Sequence, residues 1–374
     1  MYLTIKQEIL KNGISTVERI SQKILSLPIL QNVLVKGEGN FLNLSTTNLE
    51  LGIKWWALAK VESEGQITVP TRLFSDIINF LPNKIIKLEK KDSTLNIECE
   101  NYRTSLFGQA AEEFPIIPIS KEGEKISLNS QKLCQGLSQV VDISSPSVAR
   151  PEISGIYHCF QNNLIKIAAT DSFRLAEKKL FQKTLLSKEF ALILPRLTAK
   201  EVVNIFGEKE NELQIYFSPN QILFESQMTE IPHPAIQITS KLIEGEYPNY
   251  EAIIPKKYET QIILSKVEFL NQIKSASLFS GKINEVSFKI NPQKGEVEIN
   301  SQNPELGKYQ SSLPAKIKGK GVEISFNHRF LADGLFQIKT SEVIFELTGE
   351  EGPAVLKPLG DESYLYVVMP IKAS

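Results

Sequence analysis

Leu164-Ile165-Lys166-Ile167-Ala168-Ala169-Thr170-Asp171 decides the reading of this chain, because the same pattern stands elsewhere at a fixed distance. Shifted back by 123 positions it becomes Phe41-Leu42-Asn43-Leu44-Ser45-Thr46-Thr47-Asn48, so that Leu42, Leu44, Thr47 and Asn48 match Ile165, Ile167, Thr170 and Asp171. Shifted forward by 132 it becomes Glu296-Val297-Glu298-Ile299-Asn300-Ser301-Gln302-Asn303. The first match runs without a gap over residues 4–48 and 127–171, where Leu10, Ile14 and Val17 fall on Leu133, Leu137 and Val140. The back half of each unit recurs as well. Pro70, Ile77 and Ile78 meet Pro195, Val202 and Val203 at an offset of 125, and Phe326-Asn327-His328-Arg329-Phe330 opens the third version. Threefold repetition at this period points to a protein whose function lies in geometry rather than in one catalytic pocket.

Within a unit the pattern reads strand, helix and several strands, twice over. Tyr2–Lys6 alternates as a strand does. Glu8–Ile20 then groups Ile9, Leu10, Ile14, Val17 and Ile20 near one helical face. The second half starts at Gln66–Val69. There Pro70 introduces a helix over Thr71–Leu81, with Leu73, Phe74, Ile77, Ile78 and Leu81 as the expected buried stripe. A doubled βαβββ arrangement gives an α+β fold class. Joints fall after Glu113-Phe114-Pro115-Ile116-Ile117-Pro118 and at Tyr247-Pro248-Asn249-Tyr250, which divides the chain into domains 1–122, 123–252 and 253–374.

Composition narrows the function. The chain is 42% hydrophobic and 23% charged, with a formal net charge of −1. This is ordinary for a globular protein, and a simple duplex binder is usually basic. Cys99, Cys134 and Cys159 have no CxxC or His-x-x-x-His spacing beside them, so no metal site and no disulfide framework is expected. His158, His233 and His328 form no triad, and neither GxxxxGK[ST] nor GxGxxG occurs, so the expectation is of a non-enzyme without cofactor. Asp171 could serve as an acid or base, but its counterparts Asn48 and Asn303 assign it to a turn. The N-terminus reads as a strand rather than a signal peptide, and no run reaches the length of a membrane span; a cytoplasmic location is expected.

Three stretches carry a resemblance. Ala168-Ala169-Thr170-Asp171-Ser172-Phe173-Arg174-Leu175-Ala176, Tyr247-Pro248-Asn249-Tyr250 followed by Ile253-Ile254-Pro255, and Tyr366-Val367-Val368-Met369-Pro370-Ile371 resemble, in order, segments of the bacterial replicative sliding clamp, the beta subunit of DNA polymerase III. The resemblance covers essentially the whole chain. It implies three DNA-clamp domains per protomer and a head-to-tail homodimeric ring, with sheets outside and helices lining the hole. The implied function is that of a processivity factor, which encircles double-stranded DNA without sequence preference and tethers polymerases.

The same resemblance implies sites. A hydrophobic cleft between the second and third domains would take peptides from the DNA polymerase III alpha subunit, other polymerases, the clamp loader and repair proteins. Its lining would come from Ile153, Thr170, Ser172, Phe173, Arg174 and Leu175, from Pro248 and Ile253, and from Val367, Met369, Pro370 and Ile371. DNA-facing cations would be Lys11, Arg19, Lys23, Arg72, Arg196, Lys200, Lys274 and Arg329. Leu106 would lie at the dimer joint opposite Leu278 and Phe279. A near-neutral total suits a ring, since enclosure holds the duplex and modest inner charge lets phosphates exchange with counterions.

Overall fold

The computed structural model describes residues 1–21, 27–147, 149–184, 186, 188–208 and 210–372. Six longer helices are α1 (Gln7–Val17), α2 (Thr71–Phe80), α3 (Ser130–Val140), α5 (Arg196–Phe206), α6 (Lys266–Ser277) and α7 (His328–Gln337); α4 is the short Pro151–Ser154. Each long helix follows a strand and precedes at least three more, the doubled βαβββ pattern in all three repeats.

Helix phase is set by burial. In α1 the inward positions are Gln7, Leu10, Gly13, Ile14 and Val17, and a short 3₁₀ turn carries Glu18–Ile20. Ile9, expected inside, is exposed, because it lies about 100° around the axis from Leu10. In α2 the inward positions are Thr71, Phe74, Ser75 and Ile78, an i, i+3, i+4, i+7 spacing that turns Leu73 to solvent. The expected stripe therefore held at Phe74 and Ile78 and failed at Leu73.

Four antiparallel sheets organise the chain into two compact units, one built mainly from Met1–Cys134 and Leu197–Leu242, the other mainly from Gln135–Lys183 and Ile243–Ser374. The units do not follow the repeats, because the sheets run across the joints. In the first unit an eight-stranded sheet runs Glu124–Asn129, Glu212–Phe217, Gln221–Gln227, Pro234–Lys241, Leu51–Leu58, Phe41–Thr47, Asn32–Glu38, Gly65–Pro70. Its middle pairing, Ile236 with Trp55 through Ser240 with Leu51, joins the second repeat to the first. In the second unit a nine-stranded sheet makes the corresponding joint between Arg174–Leu180 and Tyr364–Val368, with Leu175 opposite Val367. The remaining sheets are five-stranded, ending at Tyr102–Phe107, and four-stranded, ending at Gly307–Pro314.

The turn read from Asp171 is present in all three repeats. Asn48 Oδ1 accepts from the backbone N–H of Glu50 (3.1 Å) and Leu51 (2.8 Å). Asp171 Oδ1 accepts from Phe173 and Arg174 (3.0 Å each), and Asn303 Oδ1 from Glu305 (2.9 Å) and Leu306 (3.2 Å). Each is an Asx turn that ends one strand and starts the next; the strands begun after Asn48 and Asp171 are the ones that make the two joints, and the one begun after Asn303 is a sheet edge.

Helix and sheet approach closely through Gly13 and Gly136, 123 positions apart. A Cβ on Gly13 would stand 2.5 Å from the Trp55 ring. Gly13→Ala is expected to cost about 1–3 kcal/mol through overpacking, whereas Gly281→Ala, which meets nothing within 4 Å, should stay within about 0.5 kcal/mol. Urea unfolding of both variants checks this.

His158 is buried inside a strand with Nδ1 3.1 Å from the Ile156 carbonyl oxygen, and desolvation lowers its pKa from 6.5 to about 4. Its protonated form therefore favours the unfolded chain. Stability from this group is full above pH 6.5 and is lost as pH falls from 6.5 toward 4, by up to about 3 kcal/mol. His158→Leu should narrow the gap in urea midpoint between pH 7 and pH 4.5 relative to the unsubstituted protein.

Candidate functional site

The second joint gathers the residues of the expected cleft. Ile153, Ala168, Leu175, Ile193, Tyr247, Tyr250, Val355 and Val367 belong to one buried apolar cluster. Tyr157 stacks on Tyr247 with centroids 5.1 Å apart, and Tyr250 Oη donates to Glu177 Oε2 at 2.7 Å. Desolvation is the main cause that raises the Tyr250 phenol, helped by the carboxylate that accepts its proton's hydrogen bond. The linker between repeats is thereby tied to the middle of the strand that makes the joint.

On this floor stand the side chains around Arg174. The Asx turn fixes its backbone, Asp171 Oδ2 accepts from Arg174 Nε at 2.9 Å, and Asp333 of α7 accepts from Nη1. Its guanidinium lies 4.6 Å from the centroid of Phe330, one turn before Asp333 on the same helix. Burial works against the charge, but Tyr366 and the two carboxylates more than offset it and raise the guanidinium pKa. Phe173, 62% exposed, stacks on Phe330 at 6.3 Å. Met369, 40% exposed, donates its backbone N–H to the Phe173 carbonyl (2.9 Å), and Ile371 donates to the Ser325 carbonyl (2.8 Å).

Of the twelve cleft residues, Ile153, Thr170, Leu175 and Val367 are buried and form a floor. Arg174, Pro248, Pro370 and Ile371 are half-buried; Ser172, Phe173, Ile253 and Met369 face solvent. The arrangement offers apolar surface at Phe173 and Met369 beside a guanidinium already held by two carboxylates. It suits an apolar side chain laid on the ledge more than bond-making chemistry. Phe330, Asp333 and Arg150, which donates to Ser172 Oγ at 3.2 Å, were not read from the sequence. Phe330 closes the Phe326–Phe330 motif, but nothing in the sequence pairs it or Asp333 with Arg174.

The expected DNA-facing cations are placed unequally. Lys11, Arg72, Lys274 and Arg329 are exposed on α1, α2, α6 and α7, with Lys274 Nζ 4.8 Å above the Phe336 ring. Arg19 is exposed but ion-paired with the buried Glu201 of α5, and Arg196 Nη2 bonds Asp142 at 3.0 Å. Lys200 is half-buried, and Lys23 lies outside the described residues. Across the six long helices, eight Lys and Arg stand against five Asp and Glu, although the chain as a whole is net negative.

The expected dimer residues also divide. Leu106 lies on the edge strand Tyr102–Phe107 but is buried, paired with Leu95 beneath its own sheet; strand alternation turns Phe107 outward instead, 86% exposed. Leu278 is 70% exposed at the end of α6, and Phe279 stacks on Tyr309 of the edge strand Gly307–Pro314, centroids 6.1 Å apart. Among the described residues no group of three or more His, Cys, Asp or Glu could hold a metal, and no helix is long and apolar enough to cross a membrane.

Comparison with known proteins settles the family. Residues 1–118, 127–249 and 251–372 match the N-terminal, central and C-terminal domains of the DNA polymerase III beta subunit. The chain belongs to the DNA polymerase III beta subunit family. Family relatives include the beta sliding clamp of Synechococcus elongatus, 27% identical over 379 residues, and that of Staphylococcus aureus, 28% over 383; both alignments span 100% of this chain and 99% of the relative. The sliding clamp of Bartonella birtlesii bound to griselimycin has a TM-score of 0.92 at 26% identity, and that of Bacillus subtilis 0.93 at 24%, each covering 100% of both chains.

The role given to Asp171 separates two effects. Asp171→Asn keeps the Asx turn, as Asn48 and Asn303 do, and loses only the ion pair, an expected cost of about 1 kcal/mol. Asp171→Ala loses the turn as well and should cost about 2 kcal/mol or more. Urea denaturation of the two variants side by side checks the order.

Proposed function

We infer that this chain is a replicative sliding clamp, a processivity factor rather than an enzyme. In this reading two copies close head to tail around double-stranded DNA. The observation that carries the reading is a pair of unused edges. Two joints within the chain pair the last strand of one repeat's first half with the last strand of the next repeat's second half: Leu51–Leu58 with Pro234–Lys241, and Arg174–Leu180 with Tyr364–Val368. By repetition Gly307–Pro314 and Tyr102–Phe107 should make a third joint. Each pairs on one side only, with Glu296–Asn303 and Thr94–Cys99. Two copies satisfy both edges at once and close, as head-to-tail contacts do when the rotation is completed. Phe107, Leu278 and Phe279 would be covered there, with Leu106 supporting from beneath.

The excess of cations on the helices supports an inner surface that meets phosphates without reading sequence. Lys11, Arg72, Lys274 and Arg329 are the foremost candidates, with Lys200 beside them; Arg19 and Arg196 contribute after their carboxylate partners are counted. The second joint, from Ile153 to Ile371 as described, would capture apolar peptides of the DNA polymerase III alpha subunit, other polymerases, the clamp loader and repair proteins. A family structure bound to griselimycin supports a ligand-taking surface. The reading places the protein in the cytoplasm, with domains 1–122, 123–252 and 253–374.

Two assays test it. Loaded protein should remain on closed circular duplex and leave when the duplex is cut once; equal loss from both forms would rule out encirclement. Phe173→Ala with Met369→Ala, both on exposed side chains, should weaken a polymerase-derived clamp peptide at least tenfold with unchanged thermal stability. Leu175, fully buried, is a poor choice for that experiment because its loss would unsettle the floor.

A further inference from the structure

The first joint contains a cavity of about 200 Å³ whose walls include Thr47, Leu49, Leu51, Ile117, Gln221 and Thr239. It is the repeat image of the second joint. Thr47, Leu49, Leu51 and Gly52 stand 123 positions before Thr170, Ser172, Arg174 and Leu175. Thr239 faces Gly52 as Val367 faces Leu175. Local bonds repeat too: Thr47 Oγ1 donates to the Leu51 carbonyl (3.0 Å) as Thr170 Oγ1 does to Arg174 (2.7 Å). Leu49 and Ser172 share a left-handed backbone, φ 76° and 78°. Even the linker is held at the same strand position, since Lys54 Nζ donates to the Ile117 carbonyl (3.4 Å) where Glu177 accepts from Tyr250.

We propose that this cavity is a second ligand site, one that takes a single aliphatic side chain of a peptide together with its flanking amide. The proposal rests on reading the second joint as a peptide cleft. The occupant is indicated by the chain itself. Ile117 pushes a branched aliphatic side chain into the space over Gly52, its Cγ2 2.5 Å from where a Cβ would stand, and Leu175 fills that space at the second joint. What remains open lies beside Ile117, with Leu49 45% exposed at its mouth. The volume is below the roughly 300 Å³ at which pockets begin to enclose whole small molecules, which limits the site to one side chain. Polar walls suit an amide: Gln221 Nε2 donates to the Pro118 carbonyl (2.9 Å) and to Thr239 Oγ1 (2.6 Å), so a polar rim lies beside the apolar end.

The test is a titration of the full chain, labelled at isoleucine δ1 methyls, with N-acetyl-leucine methylamide. Ile117 reports the first joint and Ile153 the second. A saturable shift at Ile117 is expected. It should weaken about fivefold in Leu49→Gly, which removes the apolar lip at a backbone position that glycine favours, while the response of Ile153 is unchanged. An Ile117 methyl that stays still while Ile153 shifts would overturn the proposal, as would an Ile117 response unaffected by Leu49→Gly. Movement of Ile117 without Ile153 would keep the first site and remove the cleft reading of the second; stillness at both would remove both.

Discussion

Backbone hydrogen bonding along strand edges is the constraint on which this molecule depends. A strand left open at its edge carries unpaired N–H and C=O groups, and a repeat protein multiplies that liability. Here each repeat covers an edge of its neighbour, so sheets cross both internal joints and the compact units no longer match the repeats. The helices follow from the same constraint. They pack against the sheets through small residues such as Gly13, with Lys11, Arg72, Lys274 and Arg329 on their exposed faces.

The joints are also where the site arises. The Asx turn at Asp171 starts the joint strand, sets Arg174 at its first position and lets the Asp171 carboxylate reach that guanidinium. Asp333 and Phe330 then arrive from α7 in the third repeat. The ledge at Phe173 and Met369 therefore exists only because two repeats are welded by Leu175 and Val367. Its first-joint counterpart has Leu51 in place of Arg174 and Glu50 in place of Phe173, with the linker residue Ile117 pressed inward. One architecture thus gives an open ledge at one joint and a small cavity at the other.

Much of this was legible in the sequence. The offset of 123 found the repeats, the Asn48–Asp171–Asn303 equivalence found the turns, and apolar spacing found the helices and most of their buried faces. What escaped was orientation at single positions. Leu73 and Phe74, or Leu106 and Phe107, are both apolar, and no periodicity tells which one a neighbouring element will cover. Partners from distant repeats escaped for a related reason: nothing local in Arg174 names Asp333 or Phe330. Nor did the count of lysines and arginines show that Arg19 and Arg196 are already held by Glu201 and Asp142.

The edge strands Tyr102–Phe107 and Gly307–Pro314, each open on one side, close against each other between two copies. The most direct measurement is mass in solution by light scattering coupled to size exclusion. Twice the 42.0 kDa of the single chain is expected. A stable species at 42.0 kDa across the concentrations at which the clamp works would contradict it.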